Sequence, residues 1–225
     1  MSIWSERYSV GASGVVALLT IGLIASTTTR REAATAHEVA KANLDNTWTI
    51  GSHTARIVVV EYSDFSCSFC IEFARETRPI LFRDFVNRGL VLWGFRHFVG
   101  DDPAARLAAV ACECAGAQGA FWRMYDAMFQ APGKTAEAQL VEPGRELGLN
   151  LDSFGQCMSS PEPQARLSRE SAEAVRLGLY ATPSFLIGVR DGAGEVTVRH
   201  TVSGGMSASV FSEVLALLVR TEGPR

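Results

Sequence analysis

The sequence predicts an α/β domain in which a block of helices interrupts the sheet. Two observations lead to this fold class. Strand-like runs at 56–62 and 90–98 enclose an amphipathic helical segment, which is the pattern of a βαβ unit. From about 102 to 177 the pattern is helical, and strand-like sequence returns only afterwards. Because such a connection is too long for a loop, we expect its helices to fold as a subdomain against the sheet.

Three strand-like segments precede the helical block. After a linker or short helix at 37–46, residues 48–52 suggest an edge strand. Residues 56–62 contain an unbroken run of isoleucine and valine, which is typical of a strand buried on both faces. Residues 90–98 form a similar run after Gly89, so they complete the βαβ unit.

The helical segment between the last two of these strands carries a C-x-x-C pair. Its apolar spacing predicts a helix from Cys67 to about Asn87, kinked at Pro79 because proline removes an interior hydrogen bond. The unpaired N–H groups that open a helix favour an anion, so we expect the Cys67 pKa to lie below the free-cysteine value of about 8.5. Cys70 lies on the same face, where it can close a disulfide with Cys67 or resolve a mixed disulfide.

A C-x-x-C pair can also belong to a zinc site or to a plain structural bridge. Zinc ribbons usually place the pair in a turn and supply a second pair elsewhere. Here the other cysteines are Cys112, Cys114 and Cys157, and the four histidines show no ligand spacing. The helix-opening position therefore favours redox chemistry, and we expect neither a metal nor another cofactor.

The helical block and the C-terminal segment complete one domain over 37–225, with the insertion at about 102–177. The helices expected within the insertion lie at 103–116, 121–129, 135–148, 151–158 and 163–177. Residues 184–188 and 196–202 then predict a hairpin, and 210–218 predict a closing amphipathic helix.

Residues 1–36 differ from the rest and indicate an export segment. An apolar stretch within 10–27 follows Arg7 and precedes Ser/Thr-rich sequence. Its length is at the lower limit for a membrane-spanning helix, so a cleaved signal peptide and an uncleaved anchor both remain open. Either would direct the domain to a periplasmic or other extracytoplasmic compartment, where disulfides persist. A net charge of −3 over 225 residues provides no basic stripe for nucleic acid.

Four motifs occur together in this order. They are EYSDFSCSFC at 61–70, FRHF at 95–98, ECAGAQGAFW at 113–122 and GLYATPSF at 178–185. Over roughly 48–220 the series resembles the DsbA-like thiol-disulfide oxidoreductases of the thioredoxin superfamily. The resemblance implies a thioredoxin fold with an inserted helical subdomain and an exported enzyme that forms disulfides in reduced or unfolded proteins. It also implies re-oxidation by a quinone-linked membrane thiol oxidase.

The resemblance also implies roles for individual residues. Thr182-Pro183 matches the family's cis-proline loop, which faces the redox pair and presents the Thr182 backbone to a substrate strand. Glu61 matches a buried acid of relatives, whose raised pKa would let it exchange a proton with Cys70. A solvent-exposed or salt-bridged acid is the alternative.

The dipeptide between the cysteines departs from the Pro-His and Pro-Tyr types common among relatives. Ser68 and Phe69 supply no imidazolium beside Cys67. We therefore expect a potential between about −270 mV, as in thioredoxin, and about −120 mV, as in the strongest oxidant. With Thr182 and Pro183, these two residues are expected to contact the substrate.

Cys114 and Cys157 match positions at which some exported relatives have cysteines. The resemblance thus implies a structural Cys114–Cys157 bridge, with Cys112 left as a buried thiol. A Cys112–Cys157 pairing, or no bridge, remains open.

Three functions are compatible with these residues. The favoured one is a dithiol oxidase, and the others are a disulfide isomerase or reductase and a non-catalytic peptide-binding chaperone. Isomerases of the superfamily usually carry a separate dimerisation domain, for which the exported portion leaves no room. We therefore expect a monomeric oxidase.

Overall fold

The computed structural model describes residues 41–133 and 137–223, and within them six strands form one mixed sheet. The strands are β1 Lys41–Ala42, β2 Trp48–Gly51, β3 Ile57–Ser63, β4 Val91–His97, β5 Ser184–Arg190 and β6 Val196–Ser203. Their order across the sheet is β1-β6-β5-β3-β4-β2. Strand β3 pairs parallel with β4 and antiparallel with β5, so it lies inside the sheet. The predicted α/β class and βαβ unit are confirmed.

Strand β3 is buried along its whole length because both faces of the sheet are covered. Ile57 and Val59 pack in one apolar cluster with Trp93. Val58 and Val60 pack on the opposite face, in a cluster that includes Ala174 of the inserted helices. The unbroken apolar run in the sequence is explained by this two-sided burial.

The helical backbone that follows β3 is not the single kinked α-helix that the sequence predicts. It consists of α1 Ser68–Glu72, a π-helical segment Phe73–Thr77, α2 Arg78–Leu81 and a second π-helical segment Phe82–Val86. Pro79 lies in the first turn of α2, and the Arg78 N–H bonds to the Phe73 carbonyl five residues back. Because proline lacks an N–H and its ring crowds the preceding turn, this wider turn accommodates it.

The inserted helices lie between β4 and β5 in the chain. They are α3 Pro103–Gly116, α4 Phe121–Gln130, α5 Glu137–Glu146, α6 Leu151–Met158 and α7 Pro161–Arg176, and α8 Ala208–Glu222 closes the domain. The predicted start of α7 at 163 is late by two residues. The helix begins at Pro161, since the first helical position needs no N–H.

The segment expected as a linker or short helix at 37–46 contains strand β1 instead. Lys41 and Ala42 pair with β6. The loop that follows β1 is held by the nearly buried Arg96, which donates to the carbonyl oxygens of Asn43 and Asp45 at 3.0 and 3.1 Å. These contacts come from distant strands and have no local sequence signal.

The predicted export segment at 1–36, with its apolar stretch at 10–27, lies outside the described residues. Over 41–133 and 137–223, no helix has both the length and the apolar character needed to cross a membrane.

A disulfide joins α3 to α6 within the insertion. Cys114 and Cys157, 43 residues apart in sequence, are bonded, and their Cα atoms are 5.6 Å apart. Cys112 is a fully buried free thiol two residues before Cys114 on the same helix. The bridge therefore crosslinks two helices of the block without involving Cys67 or Cys70.

Replacing Cys114 and Cys157 together by alanine should lower the free energy of unfolding by about 2–4 kcal/mol, because the unfolded chain is no longer cross-linked. Urea denaturation without reductant measures this change. Cys112→Ala is the matched control, since it removes a buried sulfur but no bridge. A loss no larger than that of Cys112→Ala would contradict a stabilising bridge.

Candidate active site

The Cys67–Cys70 pair lies where β3 passes into the first helical turn. Cys67 is the N-cap residue, with extended backbone angles, and the Ile71 N–H bonds to its carbonyl at 3.0 Å. The Cys67 side chain is half-buried, whereas Cys70 is completely buried. One sulfur is thus open to attack from solvent and the other is screened from it.

Hydrogen bonds lower the pKa of Cys67 to about 5. The largest contribution comes from the Cys70 thiol, followed by the Thr182 side chain and the backbone N–H groups of Cys70 and Phe69. Partial burial opposes this effect. At neutral pH, Cys67 is therefore a thiolate, and hydrogen-bond donors of the helix entrance and of the facing loop stabilise its charge.

Burial has the opposite effect on the second sulfur. Desolvation raises the pKa of Cys70, and the hydrogen bond that Cys70 gives to Cys67 raises it further. The Ser63 side chain has a weaker, lowering effect on the same pKa. Cys70 therefore keeps its proton at neutral pH, unless a neighbouring base removes it.

The Thr182-Pro183 loop faces Cys67. The peptide bond between these residues is cis, and Pro183 immediately precedes β5. The Thr182 carbonyl oxygen lies 3.3 Å from Cys67 Sγ and accepts a hydrogen bond from the thiol when it is protonated. Residues 115 positions apart in the chain are thus brought together.

Glu61 is completely buried under the aromatic face of the inserted helices. Its carboxylate accepts hydrogen bonds from Trp93 Nε1 at 3.0 Å and from the Tyr125 hydroxyl at 3.1 Å. Desolvation raises the pKa of Glu61, while Arg78, Trp93, Tyr125 and Ser63 partly offset that rise. The alternative of a solvent-exposed acid is wrong, because no face of β3 reaches solvent at this position.

A groove of about 620 Å³ begins beside the cysteine pair. Phe69, which is 62% exposed, forms the wall nearest Cys67. Phe73, Ile80 and Met206 continue the apolar surface, and Glu72 and Glu76 add carboxylates. Ser68 is exposed at the start of the same turn. The groove can therefore hold a mainly apolar segment next to the reactive sulfur.

The residues around Glu61 were missed by sequence reasoning. The Arg78 guanidinium stacks 4.5 Å from the Tyr125 ring centroid and pairs with Asp126 at 2.7 Å. Tyr125 and Arg78 meet Glu61 only because α4 and α2 pack against the same face of the sheet, which no local pattern indicates. Ser63 could have been found, since residues two apart on a strand share a face.

His97 is held by a structural contact on the side of α3. Its Nε2 lies 2.8 Å from a carboxylate oxygen of Glu113, and the ring is completely buried. In the part of the chain that the structure describes, no three His, Cys, Asp or Glu side chains form a cluster that could bind a metal ion.

Together, the parallel β3–β4 pair, the helix-opening dithiol and the facing cis-proline define a dithiol protein of thioredoxin fold. A family model described as thioredoxin matches residues 43–201, and the chain belongs to that family. Within the thioredoxin superfamily it is a DsbA-like protein, as the resemblance predicted.

Three known proteins illustrate the relationship. The structure of alpha-DsbA1 from Wolbachia pipientis has a TM-score of 0.69 and 24% identity, over 77% of this chain and 90% of that one. The "Probable disulfide bond formation protein D" of Bacillus anthracis is 27% identical, over 61% of this chain and 68% of the relative. "Na(+)/H(+) antiporter NhaA 3" of Salinispora tropica is 30% identical over 78% of this chain, which spans about a quarter of that protein's length (26%).

In the reduced protein, a titration followed by thiolate absorbance should show one midpoint at about pH 5, from Cys67. Cys70 and Cys112 should not ionise in that range, because burial raises their pKa values.

The lowered pKa of Cys67 stabilises the folded protein fully above the unfolded value of 9.0, and this stabilisation is lost as pH falls through about 5. The urea midpoint of the reduced protein, relative to Cys67→Ser, should therefore rise between these pH values. A thiolate titration with its midpoint near pH 9 would contradict the lowered pKa of Cys67.

Proposed function

We propose that this chain is an exported dithiol oxidase, which passes a Cys67–Cys70 disulfide to the thiols of reduced or unfolded proteins. The opposite pKa shifts of the two sulfurs support this function best. A low Cys67 pKa stabilises the reduced dithiol form, so the disulfide form is readily given up to a substrate.

The reaction proceeds through a mixed disulfide. A substrate thiolate attacks Cys67 Sγ, the Cys67–Cys70 bond breaks, and Cys70 leaves and takes up a proton. A second substrate thiolate then attacks the substrate sulfur of the mixed disulfide, and Cys67 leaves as a thiolate. Two substrate thiols become one disulfide, and their two electrons reside on the reduced cysteine pair.

Cys67 is attacked rather than Cys70 because only Cys67 is accessible. Cys67 is also the better leaving group in the second step, since a thiolate of low pKa leaves faster. Cys70 departs into a site where its anion is unfavourable, so it needs a proton as the bond breaks. We assign that proton to Glu61, whose raised pKa keeps its carboxyl protonated at higher pH than an exposed acid.

The substrate lies between the Thr182-Pro183 loop and the groove beside Phe69. An extended segment can pair with the Thr182 backbone, while an apolar side chain enters the groove past Ser68. Backbone pairing accepts many sequences, which suits an enzyme that acts on unfolded chains in general.

We place the protein in a periplasmic or other extracytoplasmic compartment. The Cys114–Cys157 bridge is of a kind that persists in oxidising surroundings. After each cycle the reduced pair must lose two electrons, and a quinone-linked membrane thiol oxidase is the acceptor that we propose. The protein acts as a monomer in this scheme, since one chain contains both sulfurs and the facing loop.

Oxidised protein mixed with reduced ribonuclease should restore ribonuclease activity, and Cys67→Ser should abolish this because the attacked sulfur is gone. Cys70→Ser should also fail to restore activity, because it has no Cys67–Cys70 disulfide to transfer. Glu61→Gln should slow the reaction about tenfold or more, because Cys70 loses its proton donor. Glu146→Gln, which neutralises an exposed acid of α5 outside the groove, is the matched control. A protein that reduces insulin but refolds nothing would be a reductase, and full activity of Cys67→Ser would indicate a chaperone.

Equilibration with glutathione should give a potential between about −270 and −120 mV. The Cys67 pKa of about 5 lies between the values of thioredoxin, about 7, and of the strong oxidant DsbA, about 3.5. A value below that of thioredoxin would mean that the protein is built as a reductant.

A further inference from the structure

Ser63 occupies an unusual position at the end of β3. Its side chain is completely buried, and within the described part of the chain its hydroxyl oxygen makes no hydrogen bond of normal geometry. A buried hydroxyl without a partner costs stability, so such groups are rare in folded proteins. Its retention at this site calls for a physical reason other than stability.

The surroundings of Ser63 supply that reason. Glu61 and Ser63 are two residues apart on one strand, so both side chains point to the same face of the sheet. The Ser63 side chain lies close enough to the Glu61 carboxyl and to the Cys70 thiol to lower the pKa of each. Over the described residues, no hydrogen bond of normal geometry joins Glu61 to Cys70 directly, and none holds the Ser63 hydroxyl to either group. Ser63 is the side chain that acts on both of them.

We propose that the Ser63 hydroxyl relays the proton between Glu61 and Cys70 during thiol-disulfide exchange. This inference rests on the proposed function and adds to it a positioning residue that touches neither substrate nor Cys67. A serine hydroxyl suits the role because it donates one hydrogen and accepts another at the same oxygen. Its lack of a fixed partner leaves it free to turn toward either group.

The step balances in both directions. When Cys70 leaves Cys67, its sulfur takes the Ser63 proton while Ser63 takes the Glu61 proton, giving a Cys70 thiol and a Glu61 carboxylate. In the reverse direction, the Glu61 carboxylate accepts the Ser63 proton and Ser63 accepts the Cys70 proton. The Cys70 thiolate then attacks a mixed disulfide on Cys67, forms the Cys67–Cys70 bond and expels the bound thiol.

The titratable and charged groups that face the relay come from α2, from α4 and from the entrance of α1. Arg78 of α2 and Tyr125 of α4 act on Glu61, Asp126 pairs with Arg78, and Cys67 acts on Cys70. Tyr125 also borders a cavity of about 360 Å³ whose rim includes the exposed Pro79 and Gln130.

The reverse step can be timed with 5,5′-dithiobis(2-nitrobenzoate) and the reduced protein. Cys67 releases the first coloured thiolate, and attack by Cys70 on the resulting mixed disulfide releases the second. In the wild type, the second rate should rise with pH through the Glu61 pKa and then level off. In Ser63→Ala it should fall about 10- to 100-fold and increase with hydroxide concentration without that inflection, since solvent must now remove the proton.

Three further variants separate a relay from a structural role. Ser63→Thr retains the hydroxyl and should show the wild-type inflection. Ser63→Val has the size of the threonine variant but no hydroxyl, so it should behave as Ser63→Ala. Tyr125→Phe removes a hydrogen bond that lowers the Glu61 pKa, so it should move the inflection to higher pH without abolishing it. Ser63→Ala should also raise the melting temperature by about 2–4 °C, because an unpaired buried hydroxyl is removed.

A Ser63→Ala profile that keeps the wild-type inflection and rate would overturn the relay while leaving the oxidase function intact. A fall in melting temperature, with Ser63→Thr as slow as Ser63→Val, would mean that Ser63 has only a packing role. Absence of the second release in the wild type would refute the redox function itself, and the relay with it.

Discussion

The different burial of two sulfurs one helical turn apart is the constraint on which the rest of the structure depends. A thiolate at Cys67 is stable only because donors from the helix entrance and from the Thr182 loop surround it. Cys70, three residues later, points into the apolar core with Phe65, where an anion has no comparable support. The sheet sets this contrast, because β3 ends where the helix begins, so Cys67 lies at the open helix entrance and Cys70, one turn later, packs into the core.

The buried acid follows from the same constraint. A sulfur that cannot hold charge needs a proton partner that is itself shielded from water, and the central position of β3 supplies such a place. A carboxyl there would be strongly destabilising if it had no partners. Trp93, Tyr125 and the Arg78 guanidinium make the site tolerable without making the carboxyl as acidic as an exposed one.

Most of the framework of the fold could be predicted from the sequence, because short strands and helices carry local periodic signals. The C-x-x-C pair and the Thr182-Pro183 loop were also visible as motifs. The two π-helical segments were not, since widening a turn by one residue leaves the apolar spacing almost unchanged. Strand β1 escaped notice because two residues are too few to show an alternating pattern, and its pairing with β6 depends on distant residues.

The helical insertion is part of the active site rather than an appendage. Tyr125 of α4 bonds to Glu61, and the same cluster of buried side chains contains Tyr125, Phe65 and the bridged Cys114. The Cys114–Cys157 bond joins α3 to α6, and α3 also packs against α4, which carries the Tyr125 hydroxyl. Because the Tyr125 hydroxyl lowers the pKa of Glu61, the proposed proton partner of Cys70, the insertion contributes directly to the electrostatics of that carboxyl. The C-x-x-C motif alone gives no sign of this contribution, because the residues around Glu61 come from helices that are distant in sequence and meet only on the sheet.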